Sequence, residues 1–187
     1  MTAPTPEITL RALTRADLPM LREWLAEPHV RAWWREPVPD AEGIEREYGP
    51  AIDGTDPARC WIILADGVPV GLIQGYRHAD EPAWDRAVGI PDAAGLDYLI
   101  GPPGRLGQGI APAAIRACAA RLLDLHPDVA TVVGVPQRDN RASCRALEKA
   151  GFVLVREADL ESDDPSDSGV SAIYAYPRPA AGDRRSA

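Results

Sequence analysis

Residues Gly95 to Leu125 read GLDYLIGPPGRLGQGIAPAAIRACAARLLDL: a short β-favouring run, a glycine-rich turn and an amphipathic helix in succession. Leu96, Tyr98, Leu99 and Ile100 make the strand, bounded by Ala94-Gly95 before it and Gly101-Pro102-Pro103-Gly104 after it. Beyond the turn, Ile115, Cys118, Ala119 and Leu122 recur at helical spacing and give the helix one apolar face. Between them, Gly107-Gln108-Gly109-Ile110-Ala111 offers successive backbone N–H groups at a helix N-terminus. There the dipole favours an anion such as a pyrophosphate. The same glycines also suit a tight turn that binds nothing, and the turn alone does not choose.

The stretch that follows supplies context. Val132-Val133-Gly134-Val135 is a β-branched strand leading through Pro136-Gln137-Arg138-Asp139 to Asn140, an N-cap. A helix is expected from Arg141, with Ser143, Ala146, Leu147 and Ala150 on one face and Gly151 as its stop. Phe152 to Arg156 then reads as a new strand. Together the two stretches resemble the acyl-CoA-binding half of the GNAT acetyltransferase superfamily. Gly107-Gln108-Gly109-Ile110-Ala111 is similar to its pyrophosphate loop, and Asn140 to Phe152 to its later segment. The likeness runs from about Ile8 to Tyr176 and implies an α/β (α+β) fold, a central mixed, mostly antiparallel sheet flanked by helices.

Within that superfamily the chain resembles the aminoglycoside 6′-N-acetyltransferases. The residues that carry this are Ile8-Thr9-Leu10-Arg11, Leu21-Arg22-Glu23-Trp24-Leu25, His29-Val30-Arg31-Ala32-Trp33-Trp34, Glu47-Tyr48-Gly49-Pro50, Gly95-Leu96-Asp97 and Leu106-Gly107-Gln108-Gly109. The resemblance implies acetyl-CoA as cosubstrate, no metal, and a polycationic aminoglycoside as acceptor, with its 6′-amino group favoured. It places the pantetheine arm along Leu99 and Ile100 as an added strand and the pyrophosphate on Leu106, Gly107, Gln108, Gly109, Ile110 and Ala111. Asn140 would face the arm besides capping its helix. Trp34, Tyr48, Glu81, Trp84 and Asp85 fall where the resembling enzymes hold substrate.

Asp97 is the candidate for chemistry. A carboxylate in an apolar strand is costly to bury without a partner or a cleft. Acetyl transfer needs an ammonium stripped of a proton before its nitrogen attacks a thioester, which a carboxylate beside the acyl group can do. The resemblance gives Asp97 that place. A strand-edge aspartate capping a loop is the plain alternative.

Three positions depart from the family pattern. Leu106 stands where the loop motif has Gln or Arg, with Arg105 beside it. Leu147 replaces a tyrosine that in many members protonates the departing CoA thiolate, leaving water or Ser143 for that task. Val135 stands where the resembling enzymes often have an aspartate, which alters part of the acceptor pocket. A siderophore-type lysine N-acyltransferase shares the closing Leu147-Glu148-Lys149-Ala150-Gly151-Phe152 pattern but usually has histidine at the position of Asp97. Another amine or peptide N-acetyltransferase and a non-catalytic CoA-binding module are the remaining alternatives.

Composition sets the outer bounds. A chain of 187 residues with 45% hydrophobic content is expected to form a single domain, here over 8–176. Residues 1–7 and 177–187, rich in Pro, Ala and charge, are expected to be flexible. No apolar run approaches the ~20 residues of a membrane span and no signal-like segment is recognised, so a cytoplasmic location is expected. Cys60, Cys118 and Cys144 lack metal or disulfide spacing and read as buried thiols. The net charge of −8 disfavours nucleic acid or an anionic membrane and suits a cationic substrate, the protein acting as monomer or homodimer.

The rest of the chain reads as follows. Ile8 to Arg11 is a first strand, and Thr14 to Asp17 a capping box before a helix faced by Leu18, Leu21 and Leu25. The aromatics His29, Trp33, Trp34 and Tyr48 lie in a proline-rich region of irregular or short helical structure, either a cleft wall or core, with one of the two tryptophans core. Arg59–Ala65 and Pro69–Arg77 make a hairpin across Asp66-Gly67. His78 to Ala94 reads as an acidic loop, Gly169 to Tyr176 as a last strand, and no further chemistry is expected towards the C-terminus.

Overall fold

The computed structural model describes residues 6–180. Seven strands, β1 (Ile8–Ala12), β2 (Arg59–Ala65), β3 (Val68–Arg77), β4 (Ala93–Ile100), β5 (Thr131–Gly134), β6 (Val153–Asp159) and β7 (Val170–Pro177), form one sheet in the order β1-β2-β3-β4-β5-β7-β6. Every neighbouring pair is antiparallel except β4–β5. The helices are α1 (Leu18–Ala26), α2 (Pro28–Arg31), α3 (Ala41–Asp53), α4 (Pro82–Val88), α5 (Ile110–Leu125) and α6 (Arg141–Ala150).

Side chains alternate across each strand, so the sheet presents two apolar faces. On one, Trp61, Ile63, Ile73, Leu96 and Ile100 pack against Ile115, Cys118 and Leu122 of α5 and Leu147 of α6. On the other, Ile62, Leu72 and Leu99 meet Leu21 and Leu25 of α1 and Ile44 and Tyr48 of α3. The hairpin turns through Asp66 and Gly67, both at positive φ, the geometry that fits a two-residue turn to the twist of its strands. Asp17 accepts from the backbone N–H and hydroxyl of Thr14 and forks with the Arg11 guanidinium, fixing the entry into α1.

The β4–β5 pairing is short and decides where the site is. It extends only over Ala93↔Thr131, Ala94↔Val132 and Gly95↔Val133. Beyond Gly95, β4 runs on through Leu96 to Ile100 without β5 beside it, and the sheet opens.

Several expectations are corrected. The stretch from His78 to Ala94 is not a loop: a short 3-10 turn leads into α4, whose Trp84 and Val88 share an apolar face one turn apart, and β4 already begins at Ala93. Tyr48 lies in a regular 13-residue helix that keeps Pro50 within it. Neither Trp33 nor Trp34 is fully buried, although Trp34 leans on the core. Parts of the two expected tails make contacts with the fold. Glu7 pairs with Asp66 through both backbone groups, and β7 includes Pro177. The Arg178 guanidinium donates to the carbonyls of Leu123, His126 and Val129, closing the C-terminus of α5. Residues 1–5 and 181–187, the remainder of those expected tails, lie outside the described residues.

Candidate active site

The opening between β4 and β5 leads into a cleft of about 890 Å³ that spans both faces of the sheet. Its floor at the level of the opening is Asp97. Gln74, the register partner of Asp97 on β3, donates from Nε2 to Oδ2 at 3.4 Å. Burial pushes the Asp97 carboxyl up to about 6, against the opposing effect of hydrogen bonds from Gln74 and Tyr76. Tyr76 and Gln74 are two residues apart on β3 and so share the face of Asp97. Gly95 opposite Tyr76 makes room for its ring, since a Cβ there would lie 2.6 Å from it. A carboxylate titrating near neutrality inside a cleft is suited to take a proton from an ammonium.

One end of the cleft is the glycine turn. Arg105, Leu106, Gly107, Gly109, Ile110 and Ala111 line it. Gly107 and Gly109 both adopt left-handed φ, which only glycine takes without strain. Gly109 precedes the 16-residue α5, whose first turn has neither a side-chain cap nor an acidic residue. By contrast, α3 and α6 are capped, by Asp40 accepting from Gly43 N–H and by Asn140 accepting from Ser143 N–H at 3.1 Å. The free N–H groups of α5, with Arg105, Arg145 and Lys149 also along the cleft, form a cationic end fit for phosphates. Gln108 is not part of the lining: its side chain folds back to donate to Gly104 O at 2.7 Å.

The other end is acidic. Glu36, Glu47, Asp56, Asp80, Glu81, Asp164 and Asp167 line it together with Trp34, Tyr48 and Trp84. The carboxyls of Glu36, Glu47 and Asp167 are raised, first by removal from water and then by repulsion from neighbours that in each case include Asp164. Like-charged groups crowded in this way favour a cationic visitor. Burial likewise holds the Tyr48 and Tyr76 hydroxyls protonated.

The cleft thus brings together Asp97, Leu99, Ile100, the glycine turn, Asn140, Trp34, Tyr48, Glu81 and Trp84. Asp85 is not in it, lying 4.0 Å from Nδ1 of the buried His78, whose ring stacks on Tyr76. Leu99 lines the cleft while its side chain belongs to the core between the sheet and α1 and α3.

Sequence reading missed Gln74, Tyr76, Glu36, Glu47 and the loop of Ser162, Asp164, Ser166 and Asp167. That loop reaches the cleft from the β6–β7 connection, contrary to the expectation of no chemistry there. Ser166 accepts from Arg35 N–H, and Arg35 and Gln137 tie to each other and to the loop backbone. The alternation of polar Gln74 and Tyr76 in an apolar strand was a signal that could have found them, whereas nothing local marks a distant loop as cleft wall.

Comparison with known proteins agrees with this geometry. The Acetyltransferase (GNAT) domain family matches residues 14–160. The chain is 30% identical over 148 residues, 78% of its length and 73% of the relative's, to aminoglycoside N(6′)-acetyltransferase type 1 of Klebsiella pneumoniae. It is 27% identical over 163 residues, 87% of its length and 64% of the relative's, to lysine N-acyltransferase MbtK of Mycobacterium sp. (strain MCS). Among solved structures, AAC(6′)-Ib in complex with paromomycin and acetyl-CoA superposes with a TM-score of 0.80 at 28% identity, covering 96% of this chain and 98% of that one. The chain belongs to the GNAT acetyltransferase family.

Proposed function

We propose that this acetyl-CoA-dependent N-acetyltransferase acetylates an amino group of an aminoglycoside, the 6′-amino group in preference. The observation that carries the reading is the polarity of the cleft: a cationic glycine turn at one end, a field of carboxylates at the other, and Asp97 where they meet. Acetyl-CoA supplies the activated acetyl group. Gly107, Gly109 and the N-terminus of α5 hold its pyrophosphate, and the freed edge of β4 from Leu96 to Ile100 receives its pantetheine arm.

The acidic end orients the other ammonium groups of the substrate through charge-assisted hydrogen bonds, while Trp34 and Trp84 offer flat surfaces to its rings. Asp97 takes the proton of the reacting ammonium, directly or through one water, and the amine attacks the thioester in a ternary complex. The loss of that charge weakens the drug's grip on anionic RNA, which confers resistance.

Turnover assays with acetyl-CoA against aminoglycosides, spermidine-like polyamines, lysine and an N-terminal peptide test the reading. Saturable acetylation of the aminoglycosides alone is expected. Preferential turnover of lysine instead assigns lysine N-acylation, the activity for which the mycobacterial relative is named, and overturns it.

A further inference from the structure

Once the amine has attacked, the C–S bond must break and sulfur must carry the electron pair. Leu147, which lines the cleft from the second turn of α6, has no proton or hydrogen bond to offer, and its methyl groups are packed against Gly134. One turn earlier on α6 stands Ser143, and across the opening from it stands Tyr98. Among the described residues lining the cofactor half of the cleft, these two carry the side-chain hydroxyls.

We propose that Ser143 is a catalytic hydrogen-bond donor to the departing CoA sulfur and that Tyr98 positions it, an inference that rests on the reading of the site as an acetyl-CoA cleft. The Tyr98 hydroxyl donates to Ser143 Oγ at 2.9 Å. With its lone pair thus occupied, Ser143 directs its own hydroxyl proton elsewhere, into the cleft. Its role as helix start makes no demand on that proton, because Asn140 Oδ1 takes the Ser143 backbone N–H. Burial lifts the Tyr98 hydroxyl to about 12, so Tyr98 remains a donor throughout the neutral range.

The strand geometry separates this pair from the base. Leu99, in phase with Asp97, packs on the α1–α3 face, whereas Leu96 and Ile100, in phase with Tyr98, pack on the α5–α6 face. Asp97 and Tyr98 are adjacent in sequence and opposite in space. A thioester in the gap therefore meets its incoming amine on one side and gives up its sulfur towards the other. Asp97 takes the ammonium proton, nitrogen forms the bond to the carbonyl carbon, and the C–S electron pair passes to sulfur. Ser143 stabilises that thiolate by hydrogen bonding, and the second proton of the attacking nitrogen, lost as the amide forms, passes through water to the sulfur to give the free thiol. A thiolate of pKa about 8.5 leaves without a full proton transfer, so a donor that stabilises charge is sufficient.

The test compares wild type with Ser143→Ala, Ser143→Thr and Tyr98→Phe, none of which removes a core contact larger than one hydroxyl. The first readout is the thiol pKa of bound CoA, followed by thiolate absorbance in the ultraviolet. It is expected to lie below that of free CoA in wild type and Ser143→Thr, and to return towards the free value in Ser143→Ala. The second is the single-turnover rate, expected to fall roughly ten- to a hundredfold in Ser143→Ala and less in Tyr98→Phe. The KM for acetyl-CoA should stay within about twofold. An unaltered bound-thiol pKa in Ser143→Ala, or a rise in KM at constant turnover, overturns the proposal. A wild-type protein that binds no CoA removes the site reading itself, an outcome distinct from either.

Discussion

Gln74 and Asp97 face each other across β3 and β4, and the amide of one donates to the carboxylate of the other at 3.4 Å inside an otherwise apolar sheet. This long hydrogen bond, with the further one from Tyr76, does not offset the loss of water, which is why the carboxyl rises to about 6.

A base must be ionised, so kcat/KM is expected to climb as pH rises through about 6 and to level off above it. Replacing Asp97 by Asn should remove this limb and lower kcat by about 10² to 10⁴, with KM for acetyl-CoA little affected. Rate profiles of the two proteins check both. A low-pH limb that survives in the variant contradicts the assignment.

The same carboxylate is a burden on the fold. Its pKa is higher folded than unfolded, so stability declines as pH rises from about 4 to about 6 and the loss persists above that. Asp97→Asn is therefore expected to raise stability at pH 8 by on the order of 2 kcal/mol and to make no such difference at pH 3. Denaturant unfolding at the two pH values measures this.

Arg11 and Asp17 behave in the opposite sense. The Arg11 guanidinium holds the Asp17 carboxyl down to about 2, aided by Thr14, so this contribution is present above pH 4 and lost as pH falls towards 2. Arg11→Met is expected to cost about 1–3 kcal/mol at pH 7 and much less at pH 2.5, because Asp17 is largely buried and has no other cationic partner among the described residues. Urea midpoints at both pH values provide the check.

At the glycine turn, Gly109→Ala forces a Cβ into left-handed backbone at the start of α5. A penalty of about 1–2 kcal/mol, or displacement of the N–H groups, is expected. The KM for acetyl-CoA should rise about tenfold while that for the amine stays the same. At the other end, Glu47→Gln is expected to raise the amine KM several-fold, in a manner that fades at high salt, and to leave acetyl-CoA untouched.

Much of this was legible in the chain. The hairpin at Asp66-Gly67, the Asn140 cap, the Gly151 stop and the strand–glycine–helix run follow from local chemistry, and each has the expected form. Asp97 stood out because charge in an apolar strand needs a reason. What local rules do not carry is long-range assembly. The loop of Asp164 and Asp167 joins a cleft built by residues some 70 to 130 positions earlier, and Arg35 and Gln137 hold it there. Asp85 shows the converse: it is acidic and directly follows the cleft residue Trp84, yet the turn of α4 carries it to His78.

The measurement that tests the central claim most directly is acetyl-CoA thiol release with a matched pair of aminoglycosides, one bearing a 6′-amino group and the other a 6′-hydroxyl, in wild type and Asp97→Asn. Turnover confined to the 6′-amino compound and lost in the variant is the predicted result. Equal turnover of both compounds, or full activity in Asp97→Asn, contradicts the account.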